Sequence, residues 1–172
     1  MINKTCDRKL GFTLIELILY IGIVSIFISA VILFSWDIIY GRVKAESQRK
    51  VNQSIRLVSK RITYELRNAS GINSLTPSSI SLISTDPGRN PTVISLAGSE
   101  ILIGWGPAGN CPSISPCSLT GNGVLVSGLT FTNLSTPDSI NIGFDLVLES
   151  SSQKKEFQYE RTYSSAVELR SN

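Results

Sequence analysis

Two hydrophobic patterns occupy the first 70 residues of the chain. Residues 12–36 form an apolar run that contains one charged residue, Glu16. Farther along, apolar residues recur at steps of three and four, a spacing that lays one stripe along a helix. The stripe consists of Val51, Ile55, Val58, Ile62, Leu66 and Ala69. Because no proline interrupts the chain before Pro77, the patterns predict a single helix over about residues 12–70, with Gly71 as a left-handed C-cap.

The remaining chain has the pattern of a β-rich domain. Short runs of β-prone residues alternate with turn signals that contain Gly, Pro, Asn and Ser. The predicted strands cover residues 79–84, 92–97, 101–105, 124–134, 140–150 and 155–169. In residues 140–148 apolar and polar side chains alternate, so one face of that strand should pack on the helical stripe. The predicted fold class is α+β, with a long N-terminal helix packed on a C-terminal antiparallel β-rich head.

The apolar run is long enough to cross a membrane. A helix needs about 20 apolar residues to span the roughly 30 Å hydrocarbon core, whereas a secretory signal peptide has a core of about 7–15 residues. We therefore expect a transmembrane part of the helix over residues 12–36, an amphipathic part over 37–70 and the head over 71–172. A lone carboxylate is unfavourable in lipid, so Glu16 either reaches the headgroups or has a cationic partner.

The residues around position 11 carry a family resemblance. A basic pair precedes Gly11, Phe12 follows it, and Glu16 is the fifth residue after the glycine. This arrangement resembles the cleavage signal of type IV prepilins and of the pseudopilins of type II secretion. The resemblance implies that a prepilin peptidase removes residues 1–11 as a leader and methylates the new amine of Phe12. It also implies that Glu16 pairs with the Phe12 amine of a neighbouring subunit when a filament assembles.

Charge and resemblance disagree about the orientation in the membrane. Three basic residues precede the apolar run, whereas residues 42–67 hold eight basic and two acidic residues. The positive-inside rule would place the larger basic group in the cytoplasm. The resemblance implies the reverse, a single-pass protein of the cytoplasmic (inner) membrane with its head outside the cytoplasm, because the peptidase acts on the cytoplasmic face. The processed chain would then enter a periplasmic or extracellular filament.

The composition of the head excludes several kinds of chemistry. Histidine is absent from the sequence, which excludes a Ser-His-Asp triad and removes a common zinc ligand. Cys111 and Cys117 lie in one loop of a domain expected outside the cytoplasm, where such a pair favours a disulfide that contributes about 2 kcal/mol. Free thiols are the alternative. Cys6 would leave with the leader.

Two further motifs could be taken for ligand-binding sites, but neither requires a ligand. Residues 104–109 fit G-x-G-x-x-G, but a dinucleotide site needs a helix directly after the glycines, and the nearby prolines favour a turn. Asp138 and Asp145 are conceivable calcium ligands, although their spacing does not require an ion. A pocket lined by Asp145 and Glu149 would indicate a membrane-anchored enzyme. We expect no enzyme activity, no cofactor, no metal and no small-molecule substrate.

The expected function is assembly rather than catalysis. By resemblance the chain is a minor pilin or minor pseudopilin, a structural subunit involved in filament assembly or priming, and residues 163–170 resemble the last strand of J-type minor pseudopilins. The expected partners are other pilin or pseudopilin subunits, the prepilin peptidase and the membrane. The alternative is a DNA-uptake pilus component that binds phosphates through a basic helix face; a solvated face is the simpler interpretation. Its residues are Arg49, Lys50, Arg56, Lys60, Arg61 and Arg67.

Overall fold

The computed structural model describes residues 12–109, 111, 117–152 and 154–170. The expectations for the leader, including cleavage after Gly11, fall on residues outside this description. The chain consists of two compact units, and the boundary between them along the sequence lies between Arg42 and Val43.

The first unit holds the N-terminal part of one helix, α1 (Leu14–Asn68). This helix is long and apolar enough to cross a membrane, and none of the residues in its apolar window is buried within the protein. The hydroxyls of Ser25, Ser29 and Ser35 each donate a hydrogen bond of 2.7–2.8 Å to the carbonyl four residues earlier. The helix itself therefore satisfies these polar groups, as an apolar surrounding requires.

The second unit contains the rest of α1 and two antiparallel sheets. The first sheet has the order β1-β2-β3-β4 and the second has the order β5-β6-β7. The strands are β1 (Ala69–Thr76), β2 (Ser79–Ser84), β3 (Thr92–Ala97), β4 (Glu100–Trp105), β5 (Val124–Asn133), β6 (Asn141–Ser150) and β7 (Glu160–Glu168). Short 3-10 helices occur at Pro87–Arg89 and Lys155–Phe157. The predicted α+β class, a long helix packed on antiparallel sheets, is confirmed.

The sequence predicts all of these strands except β1. The strands β2 and β3 have the predicted bounds. The predicted strand over residues 155–169 begins later, at Glu160, because Lys155–Phe157 forms a 3-10 helix. The missed strand, Ala69–Thr76, is rich in Gly, Ser and Asn, which strands disfavour. It forms because β2 pairs with it along its length.

The prediction that Gly71 caps the helix is wrong. The helix ends at Asn68, and β1 begins at the next residue. Gly71 lies within β1 and is not among the glycines with positive φ. A Cβ atom at this position would lie 3.3 Å from Cδ1 of Ile83 on the paired strand. A side chain at position 71 would therefore require the Ile83 side chain to shift slightly.

The core lies between α1 and the two sheets. All six residues of the predicted stripe are buried, which confirms the amphipathic interpretation. The inward-facing residues of β6 belong to the same core; they are Ile142, Phe144, Leu146 and Leu148. The N–H groups of Val126 and Phe131 in β5 donate to the carbonyls of Ser99 and Pro77, at 2.9 and 2.8 Å. The hairpin turns of the first sheet thus cover the outer edge of the second.

Candidate functional site

The first turn of α1 is built as a helix cap. The N–H of Glu16 donates to Oγ1 of Thr13 at 3.4 Å, and the N–H of Leu17 donates to the Thr13 carbonyl at 3.2 Å. Threonine followed three residues later by glutamate is the capping-box pattern. A carboxylate in the first turn is also stabilised by the positive end of the helix dipole. The local role of the Glu16 carboxylate is therefore its position at the positive end of the helix dipole, which our sequence interpretation missed.

The side chains around Glu16 are apolar and exposed. Phe12 is 81% exposed and Ile15 is 74% exposed. Within the described part of the chain, no ion pair involves the Glu16 carboxylate. The predicted partner, the Phe12 amine, belongs to a neighbouring subunit, so this pairing stays a prediction.

Residues 6–32 match the prokaryotic N-terminal methylation motif. The matched span contains Gly11, Phe12 and Glu16, so it includes both the predicted cleavage site and the carboxylate. This motif supports a type IV pilin-like assignment for the chain. Comparisons with curated proteins and with solved structures gave no match. The likeness to pilins therefore rests on the N-terminal segment and the architecture, and it does not extend to the role of the head.

The cysteine loop of the head is attached to β4. The structure pairs the sulfur atoms of Cys111 and Cys117, whose Cα atoms lie 4.9 Å apart. The N–H of Ile103 in β4 donates to the Cys117 carbonyl at 2.9 Å, and Leu102 forms a bridge with Ser118. A disulfide at this point would fix Cys111 to the edge of the first sheet.

The G-x-G-x-x-G segment forms a turn, as predicted. The N–H of Gly106 donates to the Pro91 carbonyl at 2.8 Å, and that of Gly109 donates to the Gly106 carbonyl at 3.0 Å. Gly106 and Gly109 have φ of +70° and +65°, a region that favours glycine. A Cβ atom on Gly104 would lie 2.8 Å from the Gly109 carbonyl oxygen. The glycines thus serve a tight turn, and their N–H groups bond to the protein.

The carboxylates considered for catalysis or calcium do not converge. Asp145 is exposed on β6, opposite Thr130 and Ser164. Four residues along a strand separate Asp145 from Glu149 by about 13 Å, too far for the two to share one reacting group. Among the described residues, no group of three His, Cys, Asp or Glu side chains could hold a metal ion.

A buried carboxylate in α1 was missed by the sequence interpretation. Glu65 is only 6% exposed, and its Oε1 atom lies 2.8 Å from Nη2 of Arg61 and 3.2 Å from Nη2 of Arg89. The Arg89 guanidinium also stacks on Trp105, 3.8 Å from the ring centroid. Two features of the sequence could have indicated this buried ion pair: the i,i+4 spacing of Arg61 and Glu65, and the position of Glu65 next to Leu66 of the stripe. These contacts hold α1 to the turn before β3 and to β4.

The basic face of α1 is consequently smaller than the sequence predicts. Arg61 binds Glu65, and Lys50 binds Glu46 at 2.7 Å. The other four residues line two grooves between α1 and β7. The first, of about 400 Å³, is lined by Arg49, Asn52, Gln53, Arg56 and Arg161. The second, of about 450 Å³, is lined by Ser59, Lys60, Thr63, Tyr64, Arg67, Asn68 and Tyr163.

Proposed function

We propose that this protein is a minor pilin or minor pseudopilin, a structural subunit of a type IV pilus or of a type II secretion pseudopilus. The observation that carries the proposal is the methylation motif over residues 6–32. The apolar N-terminal half of α1 supports it, because this segment could hold the subunit in the membrane before assembly. The J-type assignment stays a prediction from residues 163–170.

The proposed role proceeds in two steps. A prepilin peptidase hydrolyses the peptide bond between Gly11 and Phe12 and methylates the new amine. Residues 12–36 then keep the subunit in the cytoplasmic membrane, with the head outside the cytoplasm. In the filament, the Glu16 carboxylate pairs with the amine of the adjacent Phe12. This contact compensates the carboxylate charge in the apolar region and sets the axial offset between subunits.

The mass of the full-length protein tests the first step. Protein isolated from cells that contain the prepilin peptidase should lack residues 1–11 and carry one added methyl group. Protein from cells without the peptidase should retain the leader. A matched variant, Gly11→Val, should retain the leader in both strains because the bulky side chain blocks the cleavage position. An identical, unprocessed N-terminus in both strains for the natural sequence would contradict the proposal.

We also propose that Cys111 and Cys117 are oxidised in the exported head. The paired sulfur atoms and the attachment of Cys117 to β4 support this state. Thiol labelling of the native protein should increase after reduction, and equal labelling with and without reductant would exclude the bridge.

DNA uptake is a second candidate function, favoured by one observation. The groove at Arg49, Arg56 and Arg161 brings three guanidinium groups together. Its lining residues include no aromatic side chain, so it lacks the stacking surface typical of single-strand binding. Binding through these groups alone would weaken steeply with added salt, and a shallow salt dependence would exclude it.

A further inference from the structure

Within the described residues, three of the four outer sheet edges are protected against pairing with a strand of another chain. The edge of β5 is covered where Val126 and Phe131 donate to the carbonyls of two hairpin turns. The edge of β4 is covered by the segment that pairs Leu102 with Ser118. The outer strand β1 has two register shifts. Covered and bulged edges are the usual protection against pairing with another chain.

The outer edge of β7 is different, because it is regular and open. All nine residues of Glu160–Glu168 pair with β6 without a register shift. The N–H of Ser150 donates to the Tyr159 carbonyl, and the N–H of Leu169 donates to the Ile140 carbonyl. Odd-numbered residues therefore bond inward. Alternate residues of an antiparallel strand direct their backbone groups to opposite sides, so even-numbered residues point outward. Within the described part of the chain, the backbone groups of Thr162, Ser164 and Ala166 form no hydrogen bond outside the β6–β7 ladder.

The two basic grooves lie beside this edge. The odd-numbered side chains of β7 face α1, since Arg161 donates to Asn52 and Tyr163 lines a groove with Lys60. A strand added to β7 would lie about 4.8 Å away. Half of its side chains would then point toward α1 and the grooves. The residues that line the two grooves include five basic side chains and no carboxylate, so acidic side chains on the added strand would be favoured.

A second copy of this chain is a poor occupant. If two β7 strands paired in antiparallel fashion about Ser164, Glu160 of each copy would stand opposite Glu168 of the other. Like charges directly opposite each other destabilise a strand pair. The carboxylates at the two ends of β7 therefore disfavour the self-paired register that would use its full length.

We propose that the free edge of β7 accepts an extended segment of another protein, which adds a strand to the second sheet and places acidic side chains at alternate positions in the basic grooves along α1. Strand addition of this kind gains affinity from backbone hydrogen bonds and specificity from alternate side chains. The proposal concerns the head and does not depend on leader cleavage or on Glu16. Its failure would leave the assembly role unaffected.

Peptide binding to the full-length protein in detergent micelles tests this proposal. The probe is a fluorescent peptide of the same length as β7, in which aspartate alternates with threonine, and binding is followed by fluorescence anisotropy. A control peptide with lysine in place of aspartate should bind at least about tenfold more weakly, because its charges repel those of the grooves. Equal binding of the two peptides would overturn the proposed charge selectivity.

Backbone methylation separates strand addition from simple charge attraction. One version of the aspartate peptide carries N-methyl groups on every threonine, and another carries them on every aspartate. In an added strand only one of these two sets of N–H groups faces β7. One version should therefore lose binding while the other keeps it. If both versions bind equally, or if both fail to bind, the peptide is not held as a strand.

Variants of β7 provide the matched test on the protein. Ser164→Pro removes one outward N–H, and proline is tolerated on an edge strand where the N–H faces solvent. It should weaken peptide binding by about tenfold or more, whereas the Ser164→Ala variant should bind the peptide normally. Ala166→Pro replaces the first variant if thermal unfolding shows that Ser164→Pro is misfolded. Unchanged affinity of a folded proline variant would overturn the proposal.

Two competing occupants give distinct results. A single-stranded oligonucleotide that binds the natural protein and Ser164→Pro equally, and that displaces the peptide, would assign the grooves to nucleic acid. Dimers of the natural protein that Ser164→Pro abolishes would assign the edge to a second copy. Either result would contradict an acidic peptide partner.

Discussion

The two halves of α1 belong to one helix but meet different surroundings. In residues 14–42 apolar side chains point in all directions and are exposed on the protein. In residues 43–68 seven residues are buried, all on one face. The second half carries its apolar stripe where its own sheets cover it, whereas the described part of the chain leaves the apolar side chains of the first half uncovered. An unbroken helix thus combines a membrane-type pattern with a globular-type pattern, and the change occurs without a linker.

The two carboxylates of interest sharpen this contrast. Glu65 is buried and its charge is compensated within the chain by Arg61 and Arg89. Glu16 is exposed on the first turn, where its N–H contact with Thr13 is local. The Glu65 contacts should therefore act on the stability of the head, whereas Glu16 should act on association between subunits. The following four predictions test these differences.

The largest effect should come from Glu16, and it should appear only in assembly. Glu16→Ala and Glu16→Gln should both insert into the membrane but lose most incorporation into filaments, measured by the subunit content of sheared filaments. Glutamine retains the ability to complete a capping box but not the charge. Thr13→Val removes the cap hydroxyl and should assemble nearly normally. Normal assembly of Glu16→Gln would show that the cap, and not the ion pair, is the role of this residue.

Truncation of an apolar residue should lower the free energy of unfolding of the head when it is made in the second half of α1, but not when it is made in the first half. Ile62→Ala, at a fully buried position, should reduce the free energy of unfolding of the head by about 3 kcal/mol, because it leaves a cavity in the core. The matched variant Ile26→Ala, at a position 74% exposed, should leave that free energy unchanged. Urea unfolding of the full chain in mild detergent measures both. Equal effects of the two variants would contradict the division.

Loss of the buried Glu65 carboxylate should have the next largest effect on the free energy of unfolding. Glu65→Gln leaves two guanidinium groups without their anion, and we expect a loss of about 2 kcal/mol in the free energy of unfolding. The value is below that for a fully buried pair because Arg61 and Arg89 are 31% and 25% exposed. In the same urea experiment Glu16→Gln should match the natural protein. A fully stable Glu65→Gln would show that this cluster contributes little to holding α1.

The smallest effect should be a pH dependence from the surface of the second half. A hydrogen bond and the charge of Lys50 lower the pKa of Glu46 below its ordinary value of 4.5. A carboxylate with a lowered folded-state pKa stabilises the fold above its unfolded pKa, and this contribution is lost as the pH falls through the folded value. Glu46→Gln should therefore remove a small part of the decline in stability below pH 4.5. Identical pH profiles for both proteins would show that this exposed pair is too strongly screened to matter.

The sequence predicts most of the fold because its signals are local. The strands Ser79–Ser84 and Thr92–Ala97 are set by β-prone runs between clear turns, and their predicted bounds are confirmed. The helical stripe is set by spacing alone. Strand β1 was missed because its residues disfavour strands and its pairing with β2 decides the conformation.

Contacts between residues that are far apart in the sequence could not be predicted from these local patterns. Glu65 and Arg89 are 24 residues apart, and Asn52 and Arg161 are 109 apart. Only the folded topology brings these groups together. In contrast, the N-terminal site was recognisable in the sequence because cleavage residues and carboxylate lie within six consecutive positions, 11–16.

The direct passage from α1 into β1 has a mechanical consequence. No residue separates Asn68 from Ala69, and Ala69 is buried and paired with Ser84. If the subunit is extruded in a filament as proposed, tension along the helix would be transmitted to the sheet at this junction, because no flexible linker lies between them. The buried stripe of α1 precedes this junction, so the packing of the helix in the core would bear the load before the first hairpin does.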